Sequence, residues 1–195
     1  TSAGHSLPNS FAALYNVNVA NDLSLAMTSQ ITLNPATVSN YTTLSFWHQY
    51  NTEEGWDGGV VEISTNNGST WTDLGTRMIK NKYNGSLGTG SNLGGRSAFT
   101  GTTAGFIETV VNLSSFAGQA IKIRFRFGSD NNTGATSGTS GWWVDDIVLY
   151  SEPAIQMRSN LFNLSNVRMS FSDTLTRITL GCTTATISSQ QSNAN

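Results

Sequence analysis

The chain has 195 residues, a formal net charge of −2, 11% charged and 37% apolar residues, and Ser, Thr and Asn fill 70 of its positions. So few charges exclude a coiled coil or a charged disordered tail, and the lack of a basic excess excludes a nucleic-acid groove. The 5 Trp, 9 Phe and 5 Tyr are enough to build a core despite the polar composition.

Helical periodicity is almost absent, and short alternating runs recur between turn clusters. Phe11–Val19 and Gln30–Leu33 read as edge strands, with Asn21-Asp22 in the turn between them. Thr43–Tyr50 is a strand with Leu44, Phe46 and His48 on one face, and Gly59–Thr65 follows with Val61 and Ile63 sharing a face. Asn66-Asn67-Gly68-Ser69 then predicts a hairpin turn into Thr70–Leu74, because Asn and Gly accept the positive φ that tight hairpins require. Lys80–Thr103, rich in Gly, Asn and Ser, reads as an extended surface loop or a short wandering strand.

Strands resume at Phe106–Asn112, Gln119–Phe127 and Trp142–Tyr150. In the second of these, Ile121, Ile123, Phe125 and Phe127 alternate with Lys122, Arg124 and Arg126, giving one buried and one solvated face. Gly128–Gly141 is a second polar loop. Beyond Pro153, Leu161–Val167 and Thr174–Leu180 read as further short strands, and Ser188–Asn195 as a frayed tail. The pattern predicts an all-β antiparallel β-sandwich over residues 1–150, with 151–195 as extra strands or the start of another domain. No apolar run reaches the length of a membrane span, and no signal peptide is visible; a chain starting at Thr1 reads as a mature or excised piece. The single Cys182 provides neither an intrachain disulfide nor a multi-thiolate zinc site. A charge-poor, Ser/Thr/Asn/Gly-rich surface points to a location outside the cell, secreted or on its surface.

The scarce acids carry most of the chemical information. Glu53 and Asp57 frame the loop Thr52–Gly58, while Asp145 and Asp146 stand among apolar neighbours in WWVDDIVLY. Adjacent residues on a strand alternate faces, so one of these two carboxylates needs a partner that offsets its burial. A calcium ion held by Glu53, Asp57, Asp145 and Asp146, with Asp22 as a further candidate, is one solution, since calcium takes several oxygen ligands. Turn capping or pairing with Arg124 or Arg126 is another. A third is a glycosidase that uses two of the acids as acid and base. His5 and His48 stand alone, without a zinc-peptidase spacing. Trp47, Trp71 and Trp143 read as core. Trp56 and Trp142 read as exposed rings that could stack on a sugar, Trp56 alternatively covering the acidic loop. The basic stripe on the Gln119–Phe127 strand reads as a solvated face paired with acids across the sheet.

Taken in order, LSFWHQYNTEEGWDGGVVEISTNNGSTWTDLG, NKYNG, GGRSAFTG, VVNLSSFAGQAIKIRFRFGSD and GWWVDDIVLY resemble the MAM-like jelly-roll module of secreted bacterial proteins. The set is similar to the non-catalytic sandwich of immune-inhibitor-A-type metallopeptidases and to cleaved-adhesin domains. The resemblance covers about Asp22 to Tyr150. It implies a jelly roll with bound calcium, in which Glu53 and Asp57 match the family's E-x-x-x-D loop. Trp142 or Trp143, Asp145 and Asp146 match its closing GW-x-DDI strand. It also implies an accessory module beside other domains of a longer chain, binding a glycan or a surface protein rather than acting as a stand-alone enzyme.

Overall fold

The computed structural model describes residues 4–6, 10–35, 42–135 and 138–151. The chain divides into two compact units, Thr1–Gln156 and Met157–Asn195, and the second lies outside the described residues. So do the strands expected at Leu161–Val167 and Thr174–Leu180, the tail, and Cys182.

Two antiparallel sheets pack face to face. Strands β1 (Phe11–Leu14), β4 (Thr42–Asn51), β7 (Met78–Lys80), β10 (Ile107–Asn112) and β12 (Gly141–Ser151) form the first, in the order β1-β12-β4-β10-β7. The second runs β2 (Asp22–Ala26), β11 (Ala120–Gly128), β5 (Gly58–Ser64), β9 (Ser97–Thr100) and β8 (Gly85–Ser86). Short β3 (Ile31–Thr32) adds to β11, and β6 (Thr72–Asp73) adds to β5. The chain crosses repeatedly between the sheets, and its first and last described strands pair. This is the expected β-sandwich, with jelly-roll character. Among the described residues no helix is long and apolar enough to cross a membrane.

Alternation builds the core. On β4, Leu44, Phe46, His48 and Tyr50 point inward; on β11, Ile121, Ile123, Phe125 and Phe127 do. Phe46 meets Phe125 edge-on across the sandwich, with ring centroids 5.0 Å apart. The predicted hairpin is present: Glu62 pairs with Asp73 and Ile63 with Thr72, and Asn67 and Gly68 take positive φ in the turn.

Every residue of β5 is buried. Of the two readings of Lys80–Thr103, the short strand holds: β8 and β9 lie in it and continue the sheet past β5, and the segment between them turns over the outer face of β5. There Leu87, Leu93 and Ala98 enclose Val60 in a small second core. The tryptophan assignments within the strands, by contrast, are inverted, while that of Trp56 holds. Trp142 is 2% exposed and packs flat on Gly59 of the opposite sheet, where a Cβ would lie 2.3 Å from the indole. Trp143, Trp47 and Trp71 are only partly buried. Trp47 lies under the His5 ring, and Trp71 lies under the Arg124 guanidinium, 4.3 Å from its centroid.

Candidate metal centre

The loop joining β4 to β5 closes on itself. Asp57 N–H and Trp56 N–H both donate to the Glu53 carbonyl, at 3.0 and 3.3 Å, and Gly55 takes φ +79° to complete the turn. Thr52 Oγ1 donates to the Asp57 carbonyl at 3.1 Å, and Thr52 N–H is tied to the Gly101 carbonyl at 2.8 Å. Glu53 and Asp57 are thereby presented to the same side. Asp130 joins them from the segment just past β11, and one carboxylate oxygen from each of the three lies within 4.8 Å of the others.

Asp57 is fully buried. Its Oδ2 accepts from the Tyr15 hydroxyl at 2.5 Å and its Oδ1 from the Asp130 N–H at 3.1 Å. Burial pushes its carboxyl up to about 6 against these hydrogen bonds, and the charges of Asp130 and Glu53 push the same way. Burial, followed by the bond to Asp57, raises the Tyr15 hydroxyl as well. Among the described residues one buried side-chain oxygen has no hydrogen-bond partner, Glu53 Oε2. A buried carboxylate oxygen without a donor is costly. The three acids therefore offer three hard oxygen donors, one of them unsatisfied, a set that could hold a metal ion.

The sequence reading names two of these three acids. Asp145 and Asp146 are not in the cluster. β12 carries a bulge between Asp145 and Val148, and Asp146 sits at its corner with φ +45°. The extra residue lets the strand change parity, so Trp142 and Val144 face the core before the bulge and Leu149 after it. Both acids instead face the N-terminal segment. Asp146 accepts from Ser6 Oγ at 2.6 Å and pairs with His5 Nδ1 at 2.7 Å, which together hold its carboxyl below the usual range. Asp145 accepts from Ser6 N–H at 3.0 Å. Asp22 is not a ligand either: Arg126 grips it with two nitrogens at 2.7 and 2.8 Å and holds its carboxyl low.

Trp56 is 42% exposed, as expected, and its ring covers Gly88 beside the acidic cluster. Trp142 is no ligand platform, because it is core. Its Nε1–H donates to His48 Nδ1 at 3.1 Å, which leaves His48 Nε2 as the protonated nitrogen, donating to Thr109 Oγ1 at 2.8 Å. Burial lowers His48 to about 3, so the ring is neutral.

Asp57 predicts a pH signature. Its folded pKa lies above the unfolded value, so the native state takes up its proton first. Its contribution to stability falls as pH rises from about 4 through 6. His48 acts oppositely in part of this window, since its folded pKa lies below the unfolded one and stability is lost as pH falls below about 6.5. The difference between wild type and Asp57→Asn isolates the carboxyl. In chelator, wild type should gain stability relative to the variant as pH drops from 7 to 5. A pH-independent difference between their melting curves would contradict the burial of Asp57.

Compared with known proteins, the sequence matches no family model and no curated protein.

Proposed function

We propose that this chain is a calcium-stabilised, non-catalytic β-sandwich module of the MAM-like kind. It works as an accessory binding part of a longer secreted or cell-surface protein. The observation that carries the proposal is the partnerless Glu53 Oε2 inside a three-carboxylate cluster. Opposed ligands on a calcium ion stand about 4.6–5.2 Å apart, twice the usual 2.3–2.6 Å bond. The three oxygens lie within 4.8 Å of one another, close enough for one ion to reach all three. The ion neutralises three like charges and ties the β4–β5 loop to the segment after β11. Trp56 at the rim of the site supplies a flat apolar face for a sugar ring or a protein side chain.

A glycan hydrolase using the same acids has less support. Asp57 is fully buried and both of its oxygens already accept hydrogen bonds, which favours a structural over an acid–base role for it.

Calcium at a hundredfold over its dissociation constant adds about 2.7 kcal/mol, or roughly 5–10 °C in melting temperature. Chelator should remove that increment and calcium restore it. Glu53→Gln and Asp130→Asn should abolish the response, while Asp145→Asn and Asp146→Asn keep it. An unchanged melt with and without chelator ends the proposal, and a response lost in Asp146→Asn but kept in Asp130→Asn refutes the ligand set.

A further inference from the structure

The geometry points to an exchangeable N-terminal arm, through which two copies of this chain associate by trading the segment that ends at Tyr15. The described residues of the arm, 4–6 and 10–15, dock on groups remote in sequence. β1 pairs with the start of β12, Phe11 opposite Val144 through Leu14 opposite Gly141. Ahead of it the His5 ring stacks on Trp47 at 3.7 Å and 9°, and His5 and Ser6 hold Asp145 and Asp146 as described. Behind it Tyr15 reaches Asp57. None of these contacts requires the arm and its receptor to share a chain. An arm from a second copy would reproduce each of them, by strand addition to the β12 edge.

Packing around the arm is loose. Phe11 is 59% and Leu14 50% exposed. Two cavities, of about 420 and 310 Å³, share Phe11, Leu25 and Phe125 in their walls, so β1 covers the gap between the sheets without filling it. Only Ala13 and Tyr15 of the arm pack against the main core cluster. The arm is thus held by edge pairing and by the His5–Ser6 latch, both of which are specific and reversible. The hinge is the turn after Tyr15, closed by Val19 N–H to the Asn16 carbonyl at 3.2 Å, Asn18 N–H to Asn16 Oδ1 at 3.0 Å, and the Asn21 side-chain amide to the Asn16 carbonyl at 2.9 Å and to the Val19 carbonyl. Beyond it Asn21 is fixed to Ser129 of its own chain. Opening that turn sacrifices these local hydrogen bonds and keeps the arm's contacts to β12, Trp47 and Asp57, now made to the second copy.

The test uses the full chain with Cys182→Ser. One preparation carries Ala12→Cys and the other Trp143→Cys, residues opposite each other in the β1–β12 ladder. After mixing at high concentration and oxidation, exchange yields a covalent 12–143 heterodimer. Its yield should exceed by about tenfold that of a collision control pairing Trp143→Cys with Ser69→Cys on the far turn, because the ladder holds the two sulfurs within bonding distance. Adding His5→Ala to the Ala12→Cys chain should speed its release about fivefold, as the latch loses one charged hydrogen bond and a stacked ring. A heterodimer no more abundant than the collision product overturns the proposal, as does a chain carrying both cysteines that closes only on itself at every concentration. A readout that leaves Trp143 intact is energy transfer between donor- and acceptor-labelled Ser69→Cys chains. It must appear on mixing, and its absence also overturns the proposal.

Discussion

Replacing Trp142 with alanine is expected to destabilise the domain by about 3–5 kcal/mol, whereas Trp143→Ala should cost about 1 kcal/mol or less. The two residues are neighbours in a WW pair and differ only in the face they occupy. Trp142 is sealed between β4, β11 and the bare Gly59 backbone, and the Phe99 and Phe125 rings lie 6.2 and 6.0 Å away. Its removal opens a cavity that Gly59 has no side chain to fill. It also strands His48 Nδ1 as a buried acceptor at the head of a chain running through Thr109 to the Asn81 carbonyl. Trp143 is on the outer face, opposite Gln49, where water can replace it. Gly59→Ala should reproduce much of the Trp142 loss by forcing the indole away. Urea melts of the three variants decide the matter, and equal costs for Trp142→Ala and Trp143→Ala would mean that the register of β12 is wrong.

The same strand shows where alternation stops being readable. β4 and β11 run nine or more residues without interruption. Their inward faces follow from the period-two pattern, because a slip of one residue would put every apolar side chain into water. In WWVDDIVLY two tryptophans and two aspartates stand side by side, so either parity places one of each inside. The bulge at Asp146 then breaks the parity partway along. Local pattern cannot choose between these cases; the glycine that receives Trp142 lies in another strand. Asp130 escaped for a similar reason. Ser129-Asp130-Asn131 reads as turn chemistry, and only the closure of the sandwich brings it to Glu53 and Asp57. The available signal was an acid at the exit of a strong strand, at the head of one of two long polar loops. The outer core of Val60, Leu87, Leu93 and Ala98 was hidden because its members are single apolar residues among glycines and serines, with no run long enough to show a period. Glu62 was visible only as the polar member of GVVEIST, with no hint that its face would be covered.

Removing Glu62 should be among the most damaging single changes in the molecule, with Glu62→Ala costing about 3–5 kcal/mol. The carboxylate is 3% exposed on the outer face of β5. It accepts from Arg96 Nη1 at 2.8 Å and from Arg124 Nε and Nη2 at 2.7 and 2.6 Å. Arg96 continues to Asp73 at 2.5 Å, and Trp71 lies under Arg124. The network therefore adds side-chain ties across β11, β5, β6 and the segment entering β9, which the backbone ladders already pair. Deleting the central acid leaves two partly buried guanidinium groups short of a counter-charge, and this penalty rather than the lost attraction dominates the cost. Each arginine keeps a fallback: Asp73 for Arg96 and the indole of Trp71 for Arg124. The singles and the pair are therefore expected to be strongly non-additive. Glu62→Ala combined with Arg124→Ala should destabilise by about 1–3 kcal/mol less than the sum of the two, because the second change removes the cation the first one orphaned. A cycle that closes additively, measured by denaturant melts at low salt and at about 1 M salt, where exposed pairs are screened and buried ones are not, would mean that Glu62 is solvated and that the β8–β9 segment does not cover β5.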